Sequence, residues 1–131
     1  MPTLARMNEH LIHDFSKKKG LAGNLLFSLR HPQAQSHRAA FRHNLQRLGW
    51  MLGNALAEVW PMKEVEVNTG LGTARCSIPS EQPVLATVMR AGLPMHAGVL
   101  DVWDGADCAF VSAYRKHNPN GGFDIEIEYL G

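Results

Sequence analysis

Apolar and polar residues alternate with several distinct periods along this chain. From Leu21 to Leu29 the apolar positions are 21, 22, 25, 26 and 29, which predicts a short amphipathic helix closed by Arg30-His31-Pro32. A longer stripe follows at 41, 45, 48, 52, 55, 56 and 59. It predicts a helix from about Ser36, as N-cap, to near Val59, stopped by Trp60-Pro61. The period then shortens to two. Val65 and Val67 alternate with Glu64, Glu66 and Asn68, the segment 69–73 supplies a turn, and 74–78 returns as the second arm of a hairpin. Val84 to Met89 is a short apolar run rich in branched residues, read as a buried strand. A helix is expected over 94–103, a second buried strand over 108–114, and a half-exposed edge strand over 123–129. Near the start, His10 to Phe15 alternates enough for a short strand, followed by a polar turn at 16–20.

These elements predict an α/β fold, with N-terminal helices beside a mixed sheet. The chain of 131 residues is at most one domain, mainly helical through residue 60 and α/β with a β-hairpin over 62–131. The strands at 84–89 and 108–114 should be parallel, joined by the intervening helix.

Chemistry concentrates where the 84–89 strand ends. Arg90-Ala91-Gly92 follows at once, then Leu93 and Pro94 at a helix start. A strand running through a small-residue turn into a helix offers backbone N–H groups and the positive end of the helix dipole. Ala91 and Gly92 admit close approach to the backbone, and Arg90 adds a planar fork of donors. The sum is an anion site suited to phosphate or pyrophosphate. On pattern alone, a strand-end charge and an ordinary turn explain the same residues equally well.

The remaining candidates read as structural. The helix face bearing His37, Arg38, Arg42, His43 and Arg47 is expected to be a solvated face or a subunit contact, because no stacking aromatics interleave with the charges. Lys17, Lys18 and Lys19 read as solvated, and Trp50 and Trp60 as packing residues. Gly70-Leu71-Gly72 lacks the third glycine and the following helix of a phosphate loop. Asp124, Glu126 and Glu128 form a solvated acidic row rather than a metal site. Cys76 and Cys108 have no metal-type spacing and are expected as buried free thiols. His96 is expected either to line the turn or to serve as a polar residue on the helix face. No protein metal site is predicted.

With 45% hydrophobic residues and a net charge of +1, the chain can form a core and is not a general nucleic-acid binder. No run approaches the roughly 18 apolar residues of a membrane span. The N-terminal residues lack a secretory apolar core, so a cytoplasmic protein is expected.

The segment VLATVMRAGLPMHAGVLD resembles the Arg-Ala-Gly segment of uracil phosphoribosyltransferases. Residues 38–49 resemble that family's basic amphipathic N-terminal helix, and Phe110 to Arg115 its strand ending in Tyr-Arg. The spacing of 25 residues between Arg90 and Arg115 matches the family's two pyrophosphate-side arginines. The resemblance implies the N-terminal portion of a type I phosphoribosyltransferase fold. It further implies transfer of phosphoribose from phosphoribosyl pyrophosphate (PRPP) to uracil, giving UMP and pyrophosphate in pyrimidine salvage. Arg90, Ala91 and Gly92 would bind the pyrophosphate, and Arg115 would act catalytically, closing over it from a mobile loop. Magnesium would be held by substrate oxygens. PRPP and uracil are the implied partners.

The family's later 5-phosphate loop and uracil-binding hood have no counterpart before Gly131, so the chain alone is expected to be inactive. One sheet edge would then be open, which favours a homo-oligomer. Two other readings stand beside this one: a non-catalytic anion- or partner-binding relative, and a small RNA-binding regulator.

Overall fold

The computed structural model describes residues 14–17 and 19–130, the last three by their backbone alone. The predicted strand at His10–Phe15 lies outside them for residues 10–13; Asp14 precedes a turn and Phe15 lies in it. Three helices lead the chain: α1 at Leu21–Arg30, a single turn α2 at Pro32–Gln35, and α3 at Arg38–Ala57. The turn α2 escaped the sequence reading. It displaces the expected cap: Ser36 donates its hydroxyl to the Gln33 carbonyl at 2.6 Å and closes α2, while His37 takes the N-cap of α3 without a side-chain cap.

Two sheets follow. Strands β1 (Met62–Thr69) and β2 (Gly72–Pro79) pair antiparallel as a separate hairpin. Its connection is tighter than expected. Thr69 pairs with Gly72, so only Gly70 and Leu71 form the loop. The Thr69 hydroxyl accepts from the Leu71 amide and donates to the Gly72 carbonyl, which pins the turn.

The second sheet has the order β3-β4-β5, with β3 at Val84–Met89, β4 at Asp107–His117 and β5 at Phe123–Leu130. Strands β3 and β4 run parallel and are joined by helix α4, Leu93–Leu100; β4 and β5 are antiparallel. This is the α/β arrangement of helices and mixed sheet that the periodicities predict. Helix α4 is shorter than the expected 94–103: Asp101 and Val102 follow it in a turn, and Trp103 lies just beyond that turn.

The core sits between α3 and α4. Leu48 of the α3 stripe is buried, as are Gly49 and Gly53. At Gly98 of α4 a Cβ would collide with the Gln46 carbonyl of α3, and at Gly49 one would collide with the Met95 carbonyl. The helices therefore meet backbone to backbone, a contact that only glycine permits at these two sites. Trp103, 3% exposed, donates its indole N–H to the Gly53 carbonyl at 2.9 Å. Trp60 packs edge-on against it, with ring centroids 5.3 Å apart, and donates to the Glu81 carbonyl. Trp60 thus packs as expected, whereas Trp50 is exposed.

Strand β3 is not buried on both faces. Leu85, Thr87 and Met89 turn toward the helices and are half-buried. Val84 and Val88, on the opposite face, are 67% and 58% exposed. The strand also forms one edge of its sheet. A six-residue apolar run carries no record of which side is covered, so its hydrophobicity alone overstates its burial. Both cysteines differ from expectation for the same reason: Cys76 lies on the free-standing hairpin and Cys108 near the start of β4, and both are exposed.

Candidate anion site at the end of strand β3

The chain leaves β3 through a cis peptide between Met89 and Arg90 and enters α4 three residues later. Arg90 and Ala91 are exposed. The turn is held from behind. The Gly92 amide donates to the Val88 carbonyl at 3.3 Å, and the Leu93 amide to the Arg90 carbonyl at 3.2 Å. A Cβ on Gly92 would come within 2.7 Å of the Thr87 methyl and 2.8 Å of the Val88 carbonyl oxygen. Gly92 is therefore required by the fold of the turn back onto β3, a tighter constraint than access for a ligand.

Those bonds change which groups face an anion. The Gly92 and Leu93 amides are thus engaged within the turn, Pro94 has no N–H, and the exposed residues at the head of the turn are Arg90 and Ala91. The N-terminus of α4 adds its dipole behind them.

His96 supports the turn from inside. It is 8% exposed, places Nδ1 2.7 Å from the Thr87 hydroxyl, and lies against Phe110 with ring centroids 5.1 Å apart. It is a structural link between β3 and α4 rather than a residue on an open helix face. Its Nε2 is buried with no hydrogen-bond partner. The pairing of Thr87 with His96 carries no sequence signature; a spacing of nine residues across a turn matches neither the helical nor the strand period.

Arg115 lies elsewhere than expected. It stands within β4, paired with Ile125 of β5, and its guanidinium is 4.8 Å from the centre of the Phe123 ring. It is not on a loop. The loop of 118–122 is closed by Asn118, whose backbone amide donates to the Gly122 carbonyl while its side chain donates to Asp124. Met89 pairs with Ser112, so Arg115 lies three residues past the end of the β3–β4 ladder, roughly 10 Å along the strand. Arg90 and Arg115 thus both lie at the carboxyl end of β3, on neighbouring segments.

The other charged candidates are engaged locally or solvated. Lys116 pairs with Glu126 at 3.2 Å, and Asp101 accepts from Gln46. His37, Arg38, Arg42, His43 and Arg47 are exposed on α3. Among the described residues no group of three His, Cys, Asp or Glu side chains could hold a metal ion. No helix among them is long and apolar enough to cross a membrane.

Fold and site together define an α/β module with an exposed turn between strand β3 and helix α4. The family model for uracil phosphoribosyltransferase matches residues 18–121, which include the whole turn and Arg115. The chain belongs to the uracil phosphoribosyltransferase family. It is 40% identical over 110 residues to a uracil phosphoribosyltransferase of Porphyromonas gingivalis, covering 84% of this chain and 51% of that relative. A second, from Thermococcus gammatolerans, is 34% identical over 93 residues, 70% of this chain and 41% of its own length. Among solved structures, the AQ2163 protein of Aquifex aeolicus superposes with a TM-score of 0.64 at 25% identity, over 82% of this chain and 51% of that one. The chain spans about half the length of these relatives, so its fold is a partial phosphoribosyltransferase domain.

Proposed function

We propose that this chain supplies the pyrophosphate end of a uracil phosphoribosyltransferase site. The reaction is transfer of phosphoribose from PRPP to uracil, giving UMP and pyrophosphate. The observation that carries this reading is the turn at the end of β3. Arg90 and Ala91 are exposed at the head of α4, inside the segment matched by the family.

In this reading the Arg90 guanidinium and the Ala91 amide bind pyrophosphate oxygens. Gly92 shapes the turn so that both face outward. As the bond from the ribose C1 carbon to pyrophosphate breaks, negative charge accumulates on the leaving group and positive charge on the sugar ring. Fixed donors at the pyrophosphate stabilise that charge without having to reorient. Arg115 adds a second cation at the same end of the sheet, held over Phe123 within a strand rather than closing from a loop. Magnesium enters with the substrate, held by phosphate oxygens and water. A homo-oligomer in the cytoplasm remains part of the proposal, the open edge of the sheet supporting self-association.

The test is calorimetric titration of the 131-residue chain with magnesium pyrophosphate and with PRPP, beside an assay of UMP formation. Binding of both without UMP formation is expected. Failure of both to bind overturns the reading. UMP formation by this chain alone would overturn the part that assigns it only the pyrophosphate end.

A further inference from the structure

Charge is divided unevenly along this chain. From Phe15 to Ala57 there is no Asp or Glu, while seven Lys and Arg and three His fall in that stretch. Residues 58–131 hold ten Asp and Glu against five Lys and Arg. The net charge of +1 therefore conceals a basic helical part and an acidic part that holds the strands. Such an asymmetry is the electrostatic footprint of a polyanionic partner. The arginines of α3 are also unopposed: among the described residues, the ion pairs involve none of Arg38, Arg42 and Arg47.

The structure adds an aromatic ring to these charges. Trp50 stands three residues past Arg47 and seven past His43, so the three share one face of α3. All three are exposed, and the indole of Trp50, unlike those of Trp60 and Trp103, makes no packing pair with another ring. Trp50 and Arg47 stand between two adjoining hollows. One, of about 240 Å³, is walled by Leu21 and Leu25 of α1 and by Met51. The other, of about 140 Å³, is bounded by His43, Gln46 and Asp101. Asp101 accepts from Gln46 at 3.1 Å. Its charge keeps a phosphate out of the second hollow but can accept from the amino group of a base. A membrane surface fits this face poorly, because the apolar stripe of α3 is turned inward at Leu48 and packed on α4.

We infer that the Trp50 face of α3 binds single-stranded nucleic acid. A base stacks on the Trp50 indole, against the apolar wall supplied by α1, while Arg47 and His43 meet the adjoining phosphates. Arg42 and Arg38 continue the cationic track toward the start of the helix, roughly 18 Å from Trp50 along the axis. Nothing in this site uses the turn at Arg90, so the pyrophosphate reading and this one can fail independently.

The experiment titrates the 131-residue chain into a fluorescein-labelled single-stranded oligoadenylate of about 12 nucleotides and follows anisotropy and tryptophan emission. Binding with quenching of the indole is expected. With about three phosphates neutralised, affinity should fall roughly twentyfold between 50 and 200 mM salt. Trp50→Ala should weaken binding about tenfold and leave the salt dependence unchanged. Arg47→Gln should weaken it and flatten the logarithmic salt slope by about 0.7. Trp50 is 51% exposed, so the circular dichroism of its variants should match that of the parent chain. Trp50→Phe, which keeps a smaller ring, should bind with intermediate strength. Arg75→Gln, on the hairpin, should change nothing. Absence of binding at 50 mM salt overturns the inference, as does full-strength binding by Trp50→Ala. Self-association that buries Trp50 and excludes the oligonucleotide overturns it in favour of a subunit contact.

Discussion

Thr87 and His96 meet with 2.7 Å between hydroxyl and Nδ1, one on the strand entering the Arg90 turn and the other on the helix leaving it. The bond closes the base of the turn while its head remains exposed. Because His96 is buried, removing its partner leaves a polar ring without compensation. Thr87→Val should therefore cost about 1–3 kcal/mol in urea unfolding. The double variant with His96→Phe should cost less than the sum of the two single changes. Additive losses would show that the bond contributes nothing to stability.

The crossing of α3 and α4 gives a prediction of sign as well as size. Gly98→Ala would press a methyl group into the Gln46 carbonyl, which is backbone and can yield only if the helices separate. A loss of about 1–3 kcal/mol or more is expected. Gly23→Ala, in α1 with nothing within 4 Å of the added Cβ, should instead stabilise by about 0.4–1 kcal/mol. Equal effects at the two positions would refute the close crossing.

Trp103→Phe keeps an aromatic ring in the core but removes the donor to the Gly53 carbonyl. The Gly53 carbonyl keeps its helical bond, so the loss is that of one net hydrogen bond, about 0.5–1.5 kcal/mol. Thermal unfolding followed by far-ultraviolet circular dichroism measures the loss, and an unchanged midpoint would mean that the bond has no net worth.

Arg90→Ala should abolish the thermal shift produced by pyrophosphate without changing the fold, since the side chain is exposed. A surviving shift would place the anion site elsewhere. Arg115→Ala should reduce the shift and also loosen the end of β5, because the guanidinium packs over Phe123.

Helices, hairpin and strands were legible because each is a local pattern: the α3 stripe, the Val65/Val67 alternation and the apolar run of β3 all have the period of their element. The Arg-Ala-Gly turn was legible as the join between strand and helix, since its arginine and small residues are written consecutively. The α3–α4 crossing was not. Gly49, Gly53 and Gly98 contribute no hydrophobic signal, yet they stand where the two backbones meet.

What the sequence determined by itself is therefore the longer helices, the hairpin and the strands from residue 21 onward, their order, the turn at Arg90 and the family. Tertiary structure decided the rest. It assigned the Gly92 and Leu93 amides to the turn itself, put Arg115 inside β4, buried His96 against Thr87, and left one face of β3 open. The physical reason is range. Periodicity records which residues share a side of one element, but burial and hydrogen-bond pairing depend on what a distant segment brings to that side.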